Sequence, residues 1–368
     1  MEIKMKKMIK TSIGIAVLMA LLGGCAHTPQ SEKQSNIDYG SIDTDTQVVE
    51  VEDKTNIDDR DAQNTVVFME EKLDENLFIS AKLKMPENSL YEYATQLKSF
   101  DYDKTQEAIG QNAEGTIGGE SGSLVYQRND MSSHLDTYCS YAGEQGLSND
   151  RDLSFLSKED AVAKIQSLMK QFEVGGEWGI LDVVAMDKAD FVNVQKVIIE
   201  DNNYQKALSA KGYESDTFDE ELEVYRMTFR MEVNGISVYR NEPWLQQTTD
   251  RYIAYPVTVT VLLSNSGIEM ITMTGMLEPY DGQQEEVAII GEDGIKEAIM
   301  KKFGDVILPF EYKAVNIWME YFPLLREDSF TDVDLIPVWC VDFEINGETV
   351  EDSQYTLRFN AITGDEIS

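Results

Sequence analysis

Val224-Tyr225-Arg226-Met227-Thr228-Phe229-Arg230-Met231-Glu232-Val233-Asn234-Gly235-Ile236-Ser237-Val238-Tyr239 is the stretch on which the fold turns. Strand-forming residues run on both sides of Asn234-Gly235, and Asn-Gly supplies the two positive-φ positions that a tight two-residue hairpin turn demands. The reading is an antiparallel hairpin. Downstream, Pro256–Leu263 and Ile268–Met276 flank Ser264-Asn265-Ser266-Gly267, a second hairpin. The order then recurs in shorter form: a helix over Asp293–Phe303, a strand over Tyr312–Tyr321, then Pro337–Ile345, Asn346-Gly347 and Tyr355–Asn360 before the turn Thr363-Gly364. Helix, long strand, Asn-Gly hairpin and closing hairpin occur twice, which is the order of a diverged repeat.

Upstream the elements are mixed. Thr65–Leu73 and Asn76–Met85 alternate in the β manner, joined at Asp74-Glu75 and stopped by Pro86. A short helix is expected near Asp101–Ile109, and Glu114–Ser123, with its Gly-Gly pair, reads as a loop before a strand over Leu124–Arg128. Ser157-Lys158-Glu159-Asp160 resembles a capping box, and Ala161, Ile165, Leu168, Met169 and Phe172 then form one apolar stripe of a helix. A second helix is expected over Asp190–Leu208. The predicted class is α+β: antiparallel sheets backed by helices, in two or three consecutive modules. They are a strand-rich module over 64–150, an α+β module over 151–282 and a second α+β module over 283–368.

The chain opens with Lys4, Lys6, Lys7 and Lys10 ahead of an apolar run from Ile13 to Leu22, the order of a signal peptide. About ten apolar residues fall well short of the roughly 20 that span a bilayer core. Leu22-Gly23-Gly24-Cys25 follows at once and resembles the lipobox of bacterial lipoproteins. The resemblance implies removal of residues 1–24, acylation of Cys25, and an address on the extracytoplasmic face of the cell membrane. Four lysines and one glutamate leave with the signal peptide, so 27 basic residues face 66 acidic ones, a net charge of −39. Such a field repels nucleic acid and anionic lipid. From 25 to 63 the chain is rich in Ser, Asn, Gln, Thr and Asp, without an apolar periodicity able to build a core, and it reads as a disordered acidic tether.

At the other end, Ile336-Pro337-Val338-Trp339-Cys340-Val341, Asn346-Gly347 and Thr356-Leu357-Arg358-Phe359-Asn360-Ala361-Ile362-Thr363-Gly364-Asp365-Glu366 resemble the closing strands of PepSY-type modules. Over its whole length the chain also resembles an uncharacterised family of lipoproteins from Clostridia and relatives, on Ala81 to Pro86, Asn234-Gly235-Ile236 and Ser264-Asn265-Ser266-Gly267-Ile268. The PepSY likeness implies inhibition or regulation of a protease or a cell-wall sensor outside the membrane. Neither resemblance supplies a catalytic residue.

The residues carry few chemical signatures. The two histidines are His27, in the tether, and His134, in Ser132-Ser133-His134-Leu135-Asp136, where the serines read more simply as capping or loop residues than as nucleophiles. Gly118-Gly119-Glu120-Ser121-Gly122-Ser123 misses the final glycine of a nucleophile elbow and reads as a flexible loop. Cys139 and Cys340 have no metal-site spacing; in an exported protein they could form a disulfide, and a buried free thiol is equally at home. Glu214, Asp216, Asp219, Glu220, Glu221 and Glu223 form the densest acidic cluster, either a solvated loop or a calcium site lacking the usual loop order. Tyr239, Trp244, Tyr252 and Tyr255, and likewise Trp318, Tyr321 and Phe322, are either partner anchors or covers for a sheet core. No cofactor or metal is expected. The expected function is non-catalytic: a lipoprotein held to the membrane through Cys25 that binds or restrains an envelope protein. The alternative is a carboxylate-based hydrolase or ligand-binding lipoprotein acting on wall sugars or peptides, which needs two carboxylates converging in a cleft.

Overall fold

The computed structural model describes residues 65–86, 88–110, 115–147, 151–201, 213–239, 256–279, 284–304, 306–345, 348–349 and 356–367. In chain order the elements are β1 (Thr65–Asp74), β2 (Leu77–Met85), β3 (Leu90–Gln96), α1 (Tyr102–Ile109), β4 (Thr116–Gly118), β5 (Leu124–Gln127), α2 (Asp130–Glu144), α3 (Lys158–Gln171), β6 (Glu177–Asp187), α4 (Lys188–Glu200), β7 (Glu223–Val233), β8 (Ile236–Ser237), β9 (Thr258–Ser264), β10 (Gly267–Thr274), β11 (Gln284–Val287), α5 (Glu292–Phe303), β12 (Tyr312–Leu325), β13 (Asp332–Ile345), β14 (Glu348–Thr349) and β15 (Thr356–Asn360). Among the described residues no helix is long and apolar enough to cross a membrane.

The fold is α+β, built on two sheets. The first runs β1-β2-β12-β13-β3-β11, with β14 and β15 also paired to β13, and the second runs β4-β5-β10-β9-β7-β6, with β8 paired to β7. The ladders are antiparallel apart from β2 against β12, which are parallel. The deciding hairpin forms as expected: Asn234 and Gly235 take φ of 53° and 78°, and β8 returns along β7. Asn234 also donates its side-chain amide to the Tyr93 hydroxyl at 2.9 Å, which ties the turn to β3.

The two halves of the expected repeat share a pairing order. β7 carries β6 on one side and β9, then β8, on the other; β13 carries β12 on one side and β15, then β14, on the other, with β3 added ahead of β15. The turn at Asn346-Gly347 lies outside the described residues. Sheet membership, however, does not follow three consecutive modules. Strands from 64–150 are divided, β1, β2 and β3 joining the C-terminal strands and β4 and β5 joining the central ones. The cause is apolar: Met69, Leu77, Ile79, Ala81 and Leu83 of the β1–β2 hairpin are buried with Ile295, Ala298 and Ile299 of α5, more than 200 residues later.

The second sheet is covered on both faces. On one face the α3 stripe of Ala161, Ile165, Leu168 and Met169 packs with Tyr225, Met227, Phe229 and Met231. Ser157 caps α3, its hydroxyl accepting from the Asp160 amide at 3.1 Å. On the other face lies α2, where Arg226 Nε donates to Asp136 at 2.8 Å and Tyr138 packs edge-on against Phe191. The same large core runs on to Tyr93, Tyr321, Leu325, Val333 and Leu335, so the two sheets share buried surface. Trp339, fully buried under α5, donates its indole N–H to the Ile290 carbonyl at 3.1 Å.

Two expected boundaries change. The loop expected over Glu114–Ser123 contains the short strand β4, and the helix expected over Asp190–Leu208 runs from Lys188 to Glu200, with 202–212 outside the described residues.

Candidate functional site

An open cleft of about 880 Å³ sits where β6 passes into α4, beside the first residue of β7 and the turn between β9 and β10. Phe155, Val192 and Leu222 give it apolar walls, and Asp187, Lys188, Glu220, Glu221 and Glu223 give it a charged rim. Three of the six acidic residues singled out above, Glu220, Glu221 and Glu223, therefore line one concavity. The side chain of Glu214 lies outside the described set, and Asp216 and Asp219 are not part of the lining.

Local chemistry builds this wall. Asp187 and Asp190 cap the start of α4 reciprocally: the Asp190 amide donates to Asp187 at 3.1 Å and the Asp187 amide to Asp190 at 3.0 Å. Negative charge at this end of a helix also meets the positive end of the backbone dipole. Arg151 then bridges both carboxylates, 2.8 Å from Asp187. Glu223 accepts from the Ser154 hydroxyl at 2.7 Å and from its amide at 3.0 Å, while Lys188 pairs with Glu220, whose side chain is 89% exposed. The segment ahead of α3 is pinned by Tyr225. Its hydroxyl accepts from the Leu153 amide at 2.7 Å and donates to the Leu156 carbonyl at 3.0 Å, and burial pushes its pKa up. Asn265 closes the rim by donating to the Glu221 carbonyl at 3.0 Å.

Most of the cleft's ionic groups are thus engaged with one another. Glu221 is exposed and makes no described ion pair. Among the described residues no group of three or more His, Cys, Asp or Glu side chains is arranged to hold a metal ion. Sequence reasoning reached the acidic run but missed Arg151, Ser154, Asp187, Lys188 and Asn265. These are scattered over more than 100 residues without a motif, and the one local signal was Asp187-x-x-Asp190 after an apolar strand.

Cys25, His27, Trp244, Tyr252 and Tyr255 lie outside the described residues. His134 is half-buried on α2; Ser132 is engaged in the helix cap with Asn129, and Ser133 donates to the Asp130 carbonyl at 2.9 Å, so neither serine is aimed as a nucleophile. Gly119 and Gly122 take positive φ in a tight turn tied to Lys98 and Met276 by backbone hydrogen bonds. Tyr239, Tyr321 and Phe322 are buried: Tyr239 packs on Phe322 with ring centroids 4.5 Å apart, and Tyr321 meets Tyr93 edge-on. Trp318 is partly buried against the same cluster. Cys139 and Cys340 are both free and fully buried, on α2 and β13, and burial drives both thiol pKa values upward.

No family model matches the chain, and no curated protein matches it at a significant level. Among solved structures, the chain is similar to the crystal structure of an uncharacterised protein from Eubacterium rectale ATCC 33656, with a TM-score of 0.47 and 16% sequence identity. The likeness covers 83% of this chain and 93% of that one.

Proposed function

We propose that the chain is a bacterial lipoprotein, cleaved before Cys25 and anchored there by acyl chains, whose folded portion is a non-catalytic module that binds an envelope protein. The basic n-region, the short apolar run and Leu22-Gly23-Gly24-Cys25 support the anchor. The PepSY-like closing strands support a regulatory role. The observation that carries the binding reading is the state of the cleft. Apart from Glu221, its carboxylates are spent on Arg151, Lys188 and Ser154, where a glycosidase would aim two carboxylates at one bond. An open concavity with apolar walls and a charged rim suits contact with a protein surface.

The anchor is tested by metabolic labelling with a fatty acid: Cys25→Ala should abolish incorporation and release the protein from the membrane fraction. Binding is tested by photocrosslinking from the cleft rim, at Glu221, in intact cells of the producing organism. One envelope protein captured at high occupancy is the expected result. Release of sugar or peptide fragments from purified cell wall by the chain, lost in Glu221→Gln, would replace this reading with the hydrolase.

A further inference from the structure

The strands at the ends of the two main strand orders differ in the features that govern edge-to-edge pairing, with β8, β14 and β15 as short strands off those orders. β11, Gln284-Glu285-Glu286-Val287, is four residues long and acidic, and β4 is three residues ending in Gly118; neither offers much to a joining strand. β6 is long but broken by an irregularity between Ile180 and Asp182, and it carries Glu177, Asp182 and Asp187. β1 also carries Glu70, Glu71, Lys72 and Asp74 and shifts register between Lys72 and Asp74, but its first half, Thr65–Met69, is uncharged and regular. The whole strand is ten residues long without proline, its register against β2 is unbroken from Thr65 to Lys72, and among the described residues it pairs only with β2. Among the described residues nothing bonds the backbone N–H and C=O groups along its other side. Val66 and Phe68, on the face turned away from α5, are 53% and 58% exposed.

Charge marks the same place. On that face Val66, Phe68, Glu70 and Lys72 lie opposite Lys84, Lys82, Ser80 and Phe78, and the Lys72 ammonium sits 5.3 Å over the Phe78 ring. Lys72, Lys82 and Lys84 outnumber Glu70 here, Lys84 being already engaged with another group, in a chain with 67 acidic and 31 basic residues. Further across the sheet the face turns acidic again, at Glu344 and Asp342 of β13. The positive strip runs from the edge hairpin to Lys313 of β12, which stands beside Phe78 and opposite Glu344.

We propose that β1 is a docking edge that takes an extended, acidic segment of a partner protein as an added strand. This rests on the protein-binding reading above and assigns its surface. An added strand lies about 4.8 Å from β1 and so about 10 Å from β2, a gap that a lysine stem on β2 bridges to reach a carboxylate on the newcomer. Its apolar side chains pack on Val66 and Phe68 while its backbone completes the ladder. An anionic bilayer would meet the lysines but leave the open backbone row without partners, and the acidic remainder of the surface repels it.

The test uses the full acylated chain in neutral phosphatidylcholine vesicles, with hydrogen exchange read over Thr65–Asp74. The probes are a peptide alternating Val and Glu, matched in length to β1, the same peptide with Lys for Glu, and phosphatidylglycerol vesicles without peptide. The expected result is slowed exchange with the Glu peptide, weakened by added salt, with affinity about tenfold lower in Lys82→Glu and in Phe68→Asp. Both variants change exposed side chains. Equal protection by the Lys peptide, no protection by the Glu peptide, or protection by the anionic vesicles alone would overturn the proposal. Crosslinkers placed at Phe68 and at Glu221 in cells separate the two readings. Capture of a partner at Phe68 through an acidic segment supports both, capture at Glu221 alone overturns the edge and keeps the binding module, and capture at neither overturns both.

Discussion

Gly235 and Gly176 sit at almost the same positive φ, 78° and 79°, yet a side chain at each meets different surroundings. A Cβ at Gly235 would have nothing within 4 Å, so Gly235→Ala should cost only the left-handed backbone penalty, about 1–2 kcal/mol. At Gly176 the Cβ would stand 2.4 Å from Met231 Cε, in the large core, so Gly176→Ala adds repacking to the same penalty and should lower the denaturation midpoint further. Urea titrations of the two variants side by side would show this order, with an unchanged slope for Gly235→Ala. The buried thiols give a second outcome at this scale. With their folded-state pKa raised, Cys139 and Cys340 stay protonated when an unfolded chain would have lost those protons. Their contribution to stability is complete below the ordinary thiol pKa and is lost as pH rises through it, from about pH 9 upward, by about 1.4 kcal/mol per pH unit for each thiol. Unfolding midpoints measured from pH 7 to pH 10 should sag at the alkaline end, and the sag should shrink in Cys139→Ala/Cys340→Ala. Iodoacetamide at pH 8 should label neither thiol until denaturant is added.

At the scale of elements, α2 shows what a pattern-based reading misses. Asp130-Met131-Ser132-Ser133-His134-Leu135-Asp136-Thr137-Tyr138-Cys139 is poor in strong helix formers, and no helix is expected there from the sequence, because intrinsic propensity argues against one. Its helix is made by context. Asn129 and Ser132 form a reciprocal capping box, and Leu135, Tyr138, Cys139 and Ala142 are buried against the second sheet. Asn129→Ala should therefore cost about 1 kcal/mol, more than the same change at an uncapped loop asparagine, with the loss read from thermal unfolding. The elements that were legible carried their own local chemistry: Asn-Gly for β7 and β8, alternation around Asp74-Glu75 for β1 and β2, Ser157 and one apolar stripe for α3. β3 and β6 lacked it, since Leu90–Gln96 is half polar and Glu177–Asp187 is interrupted by Gly179 and Asp182. The cleft was half legible for the same reason. A run of carboxylates announces itself, whereas Arg151 and Lys188 gain meaning only when β6, α4 and the segment before α3 meet.

For the molecule as a whole, the central strands of the first sheet come last in the chain. β12 and β13 hold β2 and β3 apart, so the hairpin made at the start of the fold waits for a partner more than 200 residues away. Contacts this distant in sequence slow folding and bind the ends of the chain into one cooperative unit. The shared core points the same way: Tyr93, Tyr321, Val333 and Leu335 are buried with Tyr225 and Phe229 of the second sheet. A chain ended at residue 282 should thus lose more than its C-terminal strands. β1 and β2 would remain as a lone hairpin, which is marginal in water, and the core of the second sheet would be opened along one side. Hydrogen exchange of such a chain should show no protection over β1, β2 and β3 and weakened protection over β7 and β9, whereas the intact chain should unfold in a single transition seen by probes in both sheets. Persistent protection of β1 to β3 after truncation would mean that the N-terminal strands find a stable arrangement of their own. The expected outcome also governs how a binding surface is mapped here: loss of a partner on deleting 283–368 reports collapse of the first sheet, and only exposed substitutions such as Phe68→Asp or Lys82→Glu separate an edge that binds from a sheet that no longer exists.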